Sequence, residues 1–157
     1  MAEPTTDGDT DTDLVAANPV LARRDALDEA LAVVGDRWSL AVVDALGGGP
    51  QRFADIAEAV PGVSPNVLSA RLKHLEAAGL IVARPYSSRP PRFTYELTDD
   101  GDGLGGALGA LTQWGAARGD QAPIEHRLCG TPLEVGWYCP SCEHRVEDPD
   151  ADEARDA

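Results

Sequence analysis

Positive charge is what this 157-residue sequence lacks most: 13 Lys and Arg stand against 27 Asp and Glu, a formal net charge of −14. Taken whole, such acidity argues against nucleic acid as a partner, because a net-negative surface repels phosphates. Long apolar runs are also missing. Asp, Arg or Gly breaks each one well short of the roughly 18 residues a membrane-spanning helix needs, so the chain is expected to be soluble. The first thirteen residues hold five acids and no base, the reverse of an export signal's basic start, and the expected location is the cytoplasm. Cysteine is limited to three residues, all between Cys129 and Cys142. An odd, clustered set excludes a disulfide scaffold and suggests a metal or redox role. No Ser/His/Asp order, phosphate-cradling glycine loop or paired-carboxylate pocket stands out, and no enzyme activity is expected. There is no internal repeat. Twelve of the thirteen bases are Arg, which fits a GC-rich genome or adaptation to high salt equally well.

What is present is a core and an uneven charge. The length suits one ordinary domain with appendages, and 43% hydrophobic residues are enough to fill it. Residues 1–13 carry five acids, and residues 120–157 carry ten against Arg127, Arg145 and Arg155; together the two ends hold twelve of the fourteen net negative charges. The stretch from Arg52 to Arg92 is the exception, with six bases against Asp55, Glu58 and Glu76. Fields act over about 8 Å at physiological salt, so this local balance matters more than the total. The expected organisation is an acidic disordered tail over 1–18, a folded domain over 19–119, a Cys/His segment over 120–146 and a second acidic disordered tail over 147–157. The tails are expected to limit non-specific binding to polyanions.

Along the folded part, Asn18-Pro19 is a turn signal, and Leu21, Leu27, Leu31 and Val34 then recur at helical spacing until Gly35. Asp36 can cap a second helix bearing Trp38, Leu40, Val42, Val43 and Leu46, which ends in Gly47-Gly48-Gly49-Pro50. Arg52 and Phe53 lead into a third short helix with Ile56, Ala57 and Val60 on one face and Pro61-Gly62 at its end. Ser64-Pro65 starts a fourth, since serine caps free N–H groups and proline suits the first helical position. Leu68, Leu72 and Leu75 face the core, leaving Asn66, Ser69, Ala70 and Lys73 outward, and Gly79 closes the helix. Leu80–Val82 and Phe93–Leu97 read as strands joined by a turn-rich, basic tip through Arg84, Tyr86, Arg89 and Arg92. Thr98 can cap one last long helix with a seam of Leu104, Leu108, Leu111 and Trp114; its five glycines each cost roughly 1 kcal/mol, so packing has to hold it.

The order helix, helix, tight turn, helix with an open polar face, basic hairpin predicts a winged helix-turn-helix, mostly α with a small β-hairpin wing (α+β). A helix fits the DNA major groove, where base edges carry a full donor and acceptor code. Ser64, Asn66, Ser69, Ala70 and Lys73 are the candidate base-reading positions. Arg89 and Arg92 are candidates for phosphate or minor-groove contact, and Arg52, Arg71 and Arg84 for the backbone. His74 is expected on the surface beside this face. Trp38 and Trp114 read as core or dimer-seam residues, and the Leu104 seam as either intramolecular core or a subunit interface. A winged helix used for protein docking is the competing class, motivated by the acidity.

From Asp25 to Gly119 these residues resemble the HxlR-type winged helix-turn-helix transcriptional regulators of bacteria and archaea. The likeness rests on Gly35-Asp36-Arg37-Trp38, Arg52-Phe53, the run from Pro61 to Glu76, Gly79-Leu80, Tyr86, Pro91-Arg92, Tyr95-Glu96-Leu97-Thr98, Gly101 and Trp114-Gly115. The resemblance implies a homodimer built from the first and last helices on double-stranded DNA with a two-fold related site. Many members look like thiol sensors with a cysteine just before the first helix; here that region reads Asn18-Pro19-Val20-Leu21, so sensing at that position is not expected.

The segment HRLCGTPLEVGWYCPSCEH, from His126 to His144, holds two pairs with two residues between their members: His126 with Cys129, and Cys139 with Cys142. Two such knuckles supply the thiolate and imidazole ligands that zinc takes in closed structural sites, so a Zn2+ cofactor is expected. His144 is an alternative to His126, and a redox-active Cys139–Cys142 pair or unliganded thiols are the other readings. With few residues to bury, the segment would gain much of its order from the metal.

Overall fold

The computed structural model describes residues 19–119 and 121–146. The tails expected over 1–18 and 147–157 lie outside the described residues. The chain divides into two compact units, residues up to 104 and from 105 onward, and each is described by itself. No helix among the described residues is long and apolar enough to cross a membrane.

The first unit starts with α1 (Pro19–Val34). It ends at Gly35, whose N–H donates to the Leu31 carbonyl at 2.8 Å; a Cβ there would lie 2.3 Å from that oxygen, so the position needs glycine. Asp36 then caps α2 (Arg37–Leu46), which buries Ser39, Val42, Val43 and Leu46. A short strand β1 (Gln51–Arg52) precedes α3 (Phe53–Ala59), where Asp55 accepts the Arg52 N–H at 3.1 Å. α4 (Pro65–Ala77) follows with Ser64 as its cap, accepting the Val67 N–H at 3.3 Å. Leu68, Leu72 and Leu75 are buried as their spacing requires, each worth about 2 kcal/mol relative to exposure.

The end of α4 has two linked bonds, Gly79 N–H to Glu76 carbonyl and Leu80 N–H to Leu75 carbonyl, both 3.0 Å. This is the Schellman arrangement, with Gly79 left-handed at φ +78° and buried Leu75 and Leu80 as its apolar pair. The turn aims the chain into β2 (Ile81–Ser88), which pairs antiparallel with β3 (Pro91–Leu97). The sheet order is β1-β3-β2, with Gln51 opposite Tyr95 and Arg52 opposite Thr94.

Three expectations change. The wing strands are longer than the apolar runs suggest: Ser88 pairs with Pro91, so only Arg89 and Pro90 remain as the tip. Pro91 opens its strand, and Pro85 sits at a register shift, the two places a residue without an N–H is tolerated in a sheet. The strand β1 gave no periodic signal because two residues are too few to show one. The long final helix is two helices. Thr98 caps only α5 (Asp99–Asp102), accepting the Gly101 N–H at 3.1 Å and donating to the Gly79 carbonyl at 2.7 Å. The glycine-rich residues 101–106 then allow a break after Gly103.

The second unit holds α6 (Gly105–Arg118) and the Cys/His segment. None of its described residues is buried. Trp114 is 62% exposed within the single chain, which removes it from the core. β4 (Trp137–Cys139) and β5 (His144–Val146) form a small hairpin.

Candidate nucleic-acid interface

The sequence makes α4 two-sided, and its cap decides which end is open. With the leucines turned inward, Ser64, Asn66, Ala70 and Lys73 are exposed and Ser69 is half-buried. These five lie along the N-terminal and central turns, the part of a reading helix that reaches base edges.

The expected cations divide into two groups. Arg71 is half-buried and its Nη1 lies 3.3 Å from the Asp36 carboxylate, so the charge has an internal partner. Arg84 is paired to Glu96 across the wing. Arg52, Lys73, Arg89 and Arg92 are exposed and form no ion pair among the described residues. Arg52 lies over the Tyr86 ring, 4.9 Å from its centre. Together with Phe53, Arg92, Phe93 and Tyr95 these two line an open groove of about 470 Å³ at the base of the wing. Exposed Tyr86 and Phe93 were not among the expected contact residues; the interspersion of three arginines with three aromatics from Arg84 to Tyr95 is the signal that marks them.

His74 is not a surface group. It is half-buried, and its Nε2 donates to the Val33 carbonyl at 2.8 Å, tying α4 to the end of α1.

Asp36 is the junction behind α4. Its carboxylate accepts the Trp38 and Ser39 N–H groups at 3.0 and 3.2 Å, the Ser39 hydroxyl and the Arg71 guanidinium. Burial pushes its pKa up, and the bonds from Ser39 and Trp38 with the Arg71 charge outweigh that, holding it below the ordinary 3.8. A carboxylate with a lowered pKa stabilises the fold above the unfolded value and loses that effect as pH falls through the folded one. Asp36→Ala is therefore expected to cost about 2 kcal/mol at neutral pH, as lost caps do at their upper range. The gap from the parent should begin to narrow as pH falls below about 4, the ordinary carboxylate value, and go on narrowing as pH drops through the lower folded one. Urea titrations across pH check this, and a gap independent of pH would count against it.

The helix-turn-helix family described as HxlR-like matches residues 33–123, more than half of the chain and all of α2 to α6. The chain belongs to the HxlR-like helix-turn-helix family. This HxlR-like chain is 32% identical over 127 residues to the HTH-type transcriptional regulator Mb3122 of Mycobacterium bovis, covering 78% of this chain and 80% of that one. It is 38% identical over 87 residues to the HTH-type transcriptional regulator YvaP of Bacillus subtilis, with 55% and 81% covered. A crystal structure described as a transcriptional regulator of the MarR family from Enterococcus faecalis V583 superposes with a TM-score of 0.53 at 32% identity, covering 60% of this chain and 86% of that one. The fold is thus a winged helix-turn-helix of mixed α+β type. The family and these relatives are transcriptional regulators, not enzymes.

The HxlR-like match ends at residue 123, before the cysteines. Of the expected ligands, His126 and Cys129 are brought together, Nδ1 to Sγ at 3.2 Å. Cys139 ends β4 and Cys142 lies in the turn before β5. No three His, Cys, Asp or Glu side chains converge among the described residues, and no disulfide links the cysteines.

Proposed function

We propose that this chain is a sequence-specific DNA-binding transcriptional regulator acting as a homodimer on a palindromic operator. The helix at 64–78 enters the major groove of double-stranded DNA, and the wing at 84–95 lies on the backbone or in the minor groove. The observation that carries the reading is the coincidence of the capped, polar face of α4 with four exposed cations that form no ion pair among the described residues, in a chain otherwise strongly acidic. The names borne by the relatives support the same class.

Within the interface, Asn66, Ser69, Ala70 and Lys73 read bases from the capped end of the helix marked by Ser64. Arg52, Arg89 and Arg92 neutralise phosphates. Arg84 contributes to the backbone contact after exchanging Glu96, whereas Arg71, held by Asp36, acts mainly by fixing α4 in place. Homodimer formation is supported by apolar side chains left open in the single chain: Leu21, Leu27 and Leu31 on α1, and Leu111 and Trp114 on α6. Residues of this size exposed in rows along helices mark interaction surfaces.

The test is selection of bound sequences from a random DNA pool. The parent should enrich a two-fold symmetric motif, and Asn66→Ala or Ser69→Ala should change the preferred bases in each half, with discrimination shifted by about 1–3 kcal/mol per lost contact. Enrichment of no motif would favour protein docking, and an unchanged motif in both variants would remove the reading-helix assignment.

A further inference from the structure

The Cys/His segment carries a feature that DNA recognition does not use: its two pairs fold into the same turn. In the first, the Gly130 N–H donates to the His126 carbonyl at 2.8 Å, and Gly130 has φ +69°. In the second, the Glu143 N–H donates to the Cys139 carbonyl at 2.8 Å, and Glu143 has φ +56°. Each turn therefore places a cysteine, Cys129 or Cys142, directly before a left-handed residue. Glycine takes that conformation freely, whereas glutamate seldom does. Its adoption at Glu143, the one non-glycine residue with positive φ among those described, shows that the second turn keeps its shape against the local preference of the residue.

The first turn is also anchored. His126 N–H donates to the Thr131 carbonyl and Leu133 N–H to the Ile124 carbonyl, at 2.8 and 2.7 Å. Gln113 of α6 clasps the stem from the side, accepting the Ile124 N–H at 3.2 Å and donating to the Leu133 carbonyl at 3.0 Å. Apolar burial does not hold this part: Leu128 is 90% exposed, and Val135, Trp137 and Tyr138 are exposed as well.

We propose that His126, Cys129, Cys139 and Cys142 bind one zinc ion as a closed structural site that joins the two turns. The class of ion follows from the donors, since three thiolates and an imidazole suit a borderline-soft, tetrahedral cation. With Zn–S about 2.3 Å and Zn–N about 2.0 Å, tetrahedral angles set N and S about 3.5 Å apart. The His126 Nδ1 and Cys129 Sγ, at 3.2 Å, need only a small adjustment to become two ligands of one ion. The fourth position goes to His126 and not to His144, because the His144 ring bonds the Cys142 carbonyl through Nδ1 at 3.1 Å and so braces the second turn. The ion supplies the cross-link between the turns that side-chain burial does not, and with all four positions taken by protein it leaves none for substrate.

The full-length chain, purified under reducing conditions with zinc supplied and then dialysed, should contain about one zinc per chain by elemental analysis. Cys139→Ser/Cys142→Ser should lose it, His126→Ala should weaken zinc binding at least tenfold, and His144→Ala should retain it. Cobalt added to the metal-free chain should give the thiolate-to-metal absorption of a tetrahedral site. Zinc-free protein under these conditions, or a Cys139–Cys142 disulfide found in its place by peptide mass analysis, overturns the proposal. Release of zinc by His144→Ala with retention by His126→Ala overturns the ligand set. Each readout is independent of DNA binding, so failure here leaves the proposed regulator untouched.

Discussion

Gly101→Ala is expected to lower the stability of the winged unit by about 3 kcal/mol or more, at or beyond the upper range of overpacking. A Cβ there would lie 2.0 Å from the Leu80 carbonyl oxygen and 3.2 Å from the Leu97 Cδ2. The oxygen cannot retreat cheaply. It accepts the Thr98 N–H at 3.0 Å, and the same peptide stretch closes α4 through the Leu80 N–H. Relief of the clash therefore strains the α4 cap or the start of α5, which meet at Leu80. The midpoint of thermal unfolding should fall by roughly 12 °C or more, followed by circular dichroism. Gly106→Ala is the control. Its Cβ meets nothing within 4 Å, so it should hold or slightly raise stability through better helix propensity. If Gly101→Ala melts with the parent, the close approach of α5 to Leu80 is not a feature of the folded protein.

The second large effect is on DNA affinity and its dependence on salt. Arg52, Arg89 and Arg92, with Arg84 once it exchanges Glu96, are the four cations proposed to meet phosphate, so a dimer brings about eight phosphate contacts and a monomer about four. Each contact releases counterions, and the slope of log K against log salt is about −0.9 per contact. Between 50 and 200 mM salt a dimer should lose about 10⁴-fold in affinity, and a monomer about 10²-fold. Titration of operator DNA at several salt concentrations therefore tests the cation assignment and the oligomeric state together. Arg92→Ala should weaken all sequences alike and flatten the dimer's slope by about 2, one contact per subunit. A flat salt dependence would show that the positive window does not face phosphate.

Much of this was legible in the residues because local rules decided it. Asp36 and Ser64 cap helices where their side chains and following residues predict, and Gly79 is left-handed where a helix must turn into a strand. The leucine spacing of α4 fixed its buried face, and with it the exposed one. What was not legible depended on partners distant in sequence. Arg71 reads as one more surface base until Asp36 is brought beside it, and Arg84 until Glu96 is placed across the wing. His74 owes its half-buried place to a carbonyl 41 residues away. β1 exists only because β3 offers it an edge, and the last helix divides after Gly103, a break that the apolar periodicity does not register.

The bond from His74 to Val33 also bears on distance along DNA. α1 carries one of the open apolar rows proposed to meet the second subunit, and the imidazole fixes the reading helix to that same α1 by a single strut. In a dimer, the span between the two reading helices is then set from the seam outward, like the fixed legs of a pair of dividers. DNA half-sites recur about every 34 Å, one helical turn. His74 touches no base in the proposed dimer, yet there it would belong to the ruler that sets how far apart two half-sites must lie.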